Sequence, residues 1–307
     1  MTFATSLKEE VSKKEFNLSD GNAEIAAYLI ALGKFNKNQL TITSENASVT
    51  RKAYKELKSI FGINPSITVR IQKRFRVKQI YILTLKEKIE KIQNNLDAYR
   101  KNILETLVTD EEKTAYLQGS FMAVGSVSDP KSKGYHLEFT FTKEWQAKNV
   151  LRLLTYFDLS AKIIQRGYKY IVYIKASEDI SDLIKRFQAT NSLFYFEDIR
   201  IYRDHKNMVN RLNNCEIANQ EKTIKTGLAH IDYINYLKDN DLIDLLDENQ
   251  KIVVEMRLKY PEASYQELAD IISMETDYKI GKSGINHQFI KIKDMVAKHK
   301  KHKGDAA

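Results

Sequence analysis

One cysteine, Cys215, and three prolines, Pro65, Pro130 and Pro261, stand in a chain of 307 residues. A single thiol excludes an internal disulfide and any zinc site built on several cysteines, and it fits a reducing compartment. With so few prolines, domain boundaries have to be read from pattern. No apolar run approaches the roughly 20 residues needed to cross a bilayer. The opening MTFATSLKEEVSKKEF alternates charge where a secretory leader would carry an apolar stretch. These absences predict a cytoplasmic protein with no membrane partner.

What is present is ordinary globular material with a basic bias. Apolar residues make up 43% and charged residues 29% of the chain, enough for two or three domains with a sizeable core. Lys and Arg total 49 against 40 Asp and Glu, a formal net charge of +9. That excess permits a polyanionic partner without requiring one.

A pattern occurs twice. AEIAAYLIAL (23–32) reads as a short apolar helix closed by Gly33, and QLTITS (39–44) has β character. In 47–63, Ala53, Tyr54, Leu57, Ile60 and Phe61 recur at helical spacing before a Gly62 stop. SITVRIQKR (66–74) and VKQIYILTL (77–85) form a hairpin pattern. After a charged connector (86–111) the order returns: helix 112–125 ending in glycine, strand 135–142, amphipathic helix 143–159, hairpin 161–175. Gly33 and Gly125 lie 92 residues apart, and SIFGINPSI aligns with TYFDLSAKI at an offset of 96. This order predicts an internal duplication. Gly119 and Ala123 in the second copy, like Ala27 and Ala31 in the first, share a helix face. Glycine inside a helix costs up to about 1 kcal/mol relative to alanine, so close helix–helix packing is the expected compensation.

Beyond the second copy, 177–190 reads as helix and FYFEDIRIY (194–202) as a strand. Residues 207–240 read as a polar helix in which Asn207, Asn210, Asn213, Asn214 and Asn219 favour a solvated linker, the alternative being contact with another domain or with phosphates. The C-terminal part is all helical. QKIVVEMRLKY (250–260) supplies one helix, and Ser264 with Glu267 forms a capping box for the next. After SMETDYKIGK, a basic helix spans 283–303, with Ser283 as candidate N-cap and Ile285, Phe289, Ile292 and Met295 or Val296 as its buried stripe. Three helices in this layout describe a helix-turn-helix domain, although a connector of about ten residues exceeds the usual three or four. In that layout Lys282, Ser283, Asn286, His287, Gln288, Lys291 and Lys293 are the candidate DNA-binding residues. Amides read adenine edges and lysines hold phosphates. The tail KHKKHK (298–303) serves phosphate attraction better than metal binding.

IAAYLIALGK (25–34) and LQGSFMAVGS (117–126) resemble degenerate copies of the LAGLIDADG motif of homing endonucleases. With YHLEF, KYIVYIK, VNRLNNCEIAN and KSGINH following in order, the chain resembles the WhiA family of bacterial regulators from about residue 3 to 297. The resemblance implies an α+β fold: a duplicated LAGLIDADG-like αββαββ-type N-terminal domain (1–205), a helical linker (206–240) and a C-terminal all-α helix-turn-helix domain (241–307). It also implies roles in transcription, cell division and chromosome segregation, with nucleoid association.

In the active nucleases an acidic residue before each motif's last glycine binds the divalent metal. The matching positions here are Leu32 and Val124, which offer no oxygen ligand. Asp129, five residues beyond Val124, pairs across the duplication with Lys37 and reads as a turn residue. No catalytic residue, metal, cofactor or small-molecule substrate is therefore expected. The nuclease saddle nevertheless predicts a second DNA surface at Lys73, Arg74, Arg76, Lys78, Arg166 and Lys169, with Arg70 beside it; a solvated, edge-guarding turn explains the same residues. Double-stranded DNA is the expected partner. A divergent metal-dependent endonuclease and an adaptor for division or segregation proteins are the alternatives.

Overall fold

The computed structural model describes residues 2–36, 38–73 and 78–304. Two compact units divide between Asp204 and His205.

The first unit opens with α1 (Phe3–Ser12). Copy one follows as α2 (Leu18–Leu32), β1 (Lys34–Asn36), β2 (Gln39–Ser44), α3 (Ala47–Phe61), β3 (Ser66–Gln72) and β4 (Lys78–Leu85). Helices α4 (Ile89–Lys101) and α5 (Ile103–Thr106) connect it to copy two, which runs α6 (Asp110–Val124), β5 (Gly125–Val127), β6 (Leu137–Phe141), α7 (Glu144–Tyr156), β7 (Lys162–Arg166) and β8 (Lys169–Ile174). The sheets are antiparallel throughout, in the matching orders β1-β2-β4-β3 and β5-β6-β8-β7. This is the αββαββ duplication. The short strands β1 and β5 had no signal of their own, because three residues after a glycine carry too little alternation to read.

Each local boundary has a chemical cause. Asn46 caps α3 by accepting from Ser48 and Val49 N–H groups, and Gly62 ends it in the left-handed region at φ 63°, where a side chain would be strained. Thr109 and Glu112 form a capping box on α6. The two motif helices, α2 and α6, meet at Gly119, where a Cβ would collide with the Glu24 carbonyl oxygen and stand 3.1 Å from the Ala27 Cβ. The missing side chain is the space of the opposing backbone.

The structure adds one element to the sequence reading of this unit and overturns another. The charged connector is helical: Ile92, Leu96 and Tyr99 of α4 are buried at i, i+4, i+7 spacing. FYFEDIRIY is not a strand but lies in the 50-residue helix α9 (Thr190–Asp239), which follows α8 (Ser177–Arg186) and crosses the division between the units. The Glu10 carboxylate from α1 caps the start of α9, accepting from the N–H groups of Asn191 at 2.7 Å and Ser192 at 2.9 Å. Glu197 then pairs with Arg200 at 2.8 Å, and only Phe196 of the aromatic run is fully buried. Capping and an i,i+3 ion pair outweigh strand propensity.

Residues 204–222 of α9 are exposed all round, the five asparagines among them. In the second unit Ile234 and Leu237 of α9 enter a core with α10 (Glu248–Lys259), α11 (Tyr265–Glu275) and α12 (Lys282–Gly304). No helix among the described residues is long and apolar enough to cross a membrane.

Candidate nucleic-acid interface

The helix-turn-helix geometry is assembled by caps. Asp247 with Gln250 starts α10, and Ser264 with Glu267 starts α11, both as reciprocal capping boxes. Because α11 continues through Glu275, its connector to α12 shortens to residues 276–281. The expected N-cap role of Ser283 is not realised. The helix begins one residue earlier, and the Gly281 carbonyl accepts from the Ile285 N–H at 3.1 Å. Glycine needs no side chain to take that place, and Ser283 becomes a first-turn residue.

Ile285, Phe289, Ile292 and Val296 anchor α12 in the core, while Met295 is only half-buried. Lys282, Ser283, Asn286, His287, Lys291 and Lys293 are all exposed. Helical spacing divides them into adjacent strips, Lys282, Asn286 and Lys293 on one and Ser283, His287 and Lys291 on the next. Gln288 stands apart. It is half-buried, and its Oε1 lies out of solvent without a hydrogen-bond partner among the described residues.

Under this surface His230 of α9 stacks on Phe289 with ring centroids 3.6 Å apart, and its Nε2 meets the Tyr265 hydroxyl at 3.2 Å. Burial, then the charge of nearby Arg257, pushes the imidazole pKa down to about 4. A neutral ring is what allows a histidine to stack inside an apolar core beside a guanidinium.

The sheets carry the second candidate surface. Leu40, Ile42, Leu83 and Leu85 face the core from the first sheet, so Arg70, paired with Ile80, faces away from it. Lys78 pairs with Gln72 in that register, and Lys73 is exposed just beyond β3. Arg74 and Arg76 lie outside the described residues, as does Lys37. In the second sheet Phe139, Val172 and Ile174 take the core face, leaving the directly paired Arg166 and Lys169 on the opposite one. Both are exposed. Glu138 shares that face and meets His136 at 3.0 Å, so the surface is not uniformly basic.

Leu32 and Val124 are the last residues of α2 and α6, half-buried against the core. Side chains without an oxygen do not fit a hard divalent cation. Among the described residues no group of three or more His, Cys, Asp or Glu converges as a metal site. The Asp129 carboxylate accepts from the Lys131 N–H at 2.9 Å, closing its own turn. Arg203 donates to the carbonyls of Pro130, Ser132 and Lys133 at 2.6–3.0 Å and holds the rest of that loop.

A duplicated LAGLIDADG-like domain with apolar residues at the metal-ligand positions, followed by a helix-turn-helix unit, defines the class. Three family models match the chain: the WhiA N-terminal LAGLIDADG-like domain over residues 19–98, the WhiA LAGLIDADG-like domain over 113–206, and the WhiA C-terminal HTH domain over 209–296. The "Probable cell division protein WhiA" of Enterococcus faecalis is 35% identical over 308 residues, covering 97% of this chain and 98% of its own. That of Bacillus cytotoxicus is 36% identical over 310 residues, covering 97% of each. The crystal structure of full-length WhiA from Thermatoga maritima superimposes with a TM-score of 0.59 at 21% identity, covering 97% of this chain and 99% of that one. The chain belongs to the WhiA family.

Proposed function

We propose that the chain is a non-enzymatic double-stranded DNA-binding protein, a transcriptional regulator acting in cell division and chromosome segregation at the nucleoid. The observation that carries this reading is α12: an apolar stripe buried in a core shared with α9, α10 and α11 leaves Lys282, Ser283, Asn286, His287, Lys291 and Lys293 solvent-exposed on the helix that a helix-turn-helix domain inserts into the major groove. Lysines there neutralise phosphates, and Asn286 can pair with adenine in two places. Gln288 contributes less to base reading because it is half-buried. Arg70, Arg166 and Lys169 extend the interface as a second surface on the sheets, in a domain taken as 1–205, joined by a linker (206–240) to a DNA-binding domain (241–307). Leu32 and Val124 argue against the endonuclease reading, since phosphodiester hydrolysis by this fold requires acids at those positions.

The test is fluorescence anisotropy of the full-length protein on duplex DNA across a salt series. Affinity should fall steeply with salt, and the Lys282, Asn286, His287 triple alanine variant should bind at least about tenfold more weakly with a shallower salt slope. Salt-insensitive binding, or a triple variant that binds like the parent, would refute the proposal.

A further inference from the structure

A second feature of the helix-turn-helix unit has no part in base reading. Beside the start of α11 lies a cavity of about 490 Å³. Three cations line it, Lys222 from α9, Arg257 from α10 and Lys282 from α12, and among the described residues no carboxylate does. Arg257 is the unusual member. It is 1% exposed, and among the described residues no Asp or Glu comes within ion-pair distance. One of its Nη groups donates to the carbonyls of Tyr260, Pro261 and Ala263, the last at 2.5 Å, while its Nε is out of solvent and has no hydrogen-bond partner among the described residues. Carbonyl dipoles hold the guanidinium in place without cancelling its charge. A buried, uncompensated cation is costly unless an anion completes it.

The walls are made for oxyanion contact. Gly227 lets α9 lie directly on the turn after α10, since a Cβ there would collide with the Pro261 carbonyl oxygen. That close approach brings Lys222 and Thr226 over the same space as Ser264. The first-turn N–H groups of Tyr265 and Gln266 have no protein acceptor among the described residues, because the capping box uses only those of Ser264 and Glu267. A helix N-terminus, a guanidinium held by neutral carbonyls and two exposed lysines therefore line one half-open volume.

We infer that this cavity binds a phosphate group. A tetrahedral oxyanion suits the guanidinium, ammonium and backbone N–H donors together. The phosphate belongs either to a free ligand or to the DNA backbone; in the second case the inference rests on the DNA-binding reading above, with Lys282 shared between cavity and DNA face.

The experiment uses the full-length protein and two variants that place a carboxylate at the cavity, Lys222→Glu and Thr226→Asp, with melting temperature recorded as the check of folding. Inorganic phosphate and ATP are titrated calorimetrically, and duplex DNA by anisotropy over a salt series. Saturable phosphate or ATP binding that is lost in both variants, with DNA affinity changed less than about twofold, assigns the site to a free ligand. Absent phosphate binding, with DNA affinity about tenfold weaker in both variants regardless of sequence and a salt slope smaller by about one, assigns it to the DNA backbone. If the folded variants match the parent in every titration, the inference is overturned while DNA binding by the parent stands. If the parent binds phosphate but no DNA, the DNA-binding proposal fails and the cavity survives it.

Discussion

The two copies in the first unit trace the same path through space-filling cores of similar kind, yet they bury different polar chemistry. Copy one hides a charged cluster. Lys52 Nζ sits 2.7 Å from Glu24 and 4.0 Å from Glu56, all three side chains being 4% exposed or less, and it also donates to the Val11 carbonyl. At the offset of 92 Glu24 corresponds to Tyr116, stacked on Tyr99, while the buried positions of α3 match those of α7 at an offset of 97, which sets Asn149 and Leu153 in the places of Lys52 and Glu56. Copy two buries amides instead: Gln146 donates to the Ile30 carbonyl at 2.6 Å and Asn149 to that of Tyr99 at 2.8 Å. Duplication has preserved the backbone and the apolar spacing, which every copy needs. The buried polar groups only have to satisfy their own neighbours, so they have diverged.

The difference has consequences for stability. One cation cannot neutralise two buried carboxylates, and burial together with the Glu24 carboxylate pushes the Glu56 carboxyl well above its usual range. Burial also raises Glu24, with Lys52 opposing. In copy two the buried amides are neutral at every physiological pH. The copies should therefore respond oppositely to charge-changing and amide-removing substitutions.

Lys52→Met should have the largest effect, a loss of about 3–5 kcal/mol in urea denaturation at pH 7, because it leaves the buried Glu24 and Glu56 without their cation. Gly119→Ala acts on the seam common to both copies. Its Cβ meets backbone rather than a mobile side chain, so a loss of about 1–3 kcal/mol is expected, read in the same experiment. Asn149→Leu should cost about 1–3 kcal/mol by leaving the Tyr99 carbonyl unpaired, equally at pH 5 and pH 8. A pH-dependent loss there would break the contrast between the copies. Glu56→Gln should have the smallest effect and the clearest sign. A carboxyl whose folded pKa is raised retains a proton that the unfolded chain releases above about pH 4.5, so the parent loses stability as pH rises beyond that point. The glutamine variant removes that contribution, and its stability relative to the parent should climb with pH; a difference independent of pH would mean that Glu56 is ionised in the native state.

Much of this architecture was legible in the residues. The αββαββ duplication was announced by matched glycines and matched helix and hairpin patterns, and the helix seam by Gly119 and Ala27. The α11 start was announced by Ser264 and Glu267. Phe3, Leu7 and Val11 mark α1 with equal clarity, at four-residue spacing, and so do the buried positions of α4; dense charge around them obscured the pattern. Arg257 had no such signal. An arginine in a helix is normally an exposed residue, and nothing near it in sequence announces its burial.

Local order, then, was written in the chain itself, because caps, stops and amphipathic spacing act over three or four residues and need no partner from elsewhere. The helical state of residues 194–202, the upward pKa shift of Glu56 and the burial of Arg257 were decided only in three dimensions. Glu10 reaches Asn191, Glu24 reaches Lys52, and Gly227 admits Pro261 across separations that no local pattern encodes. Burial and electrostatic compensation depend on which distant groups arrive together, and that is a property of the packed fold.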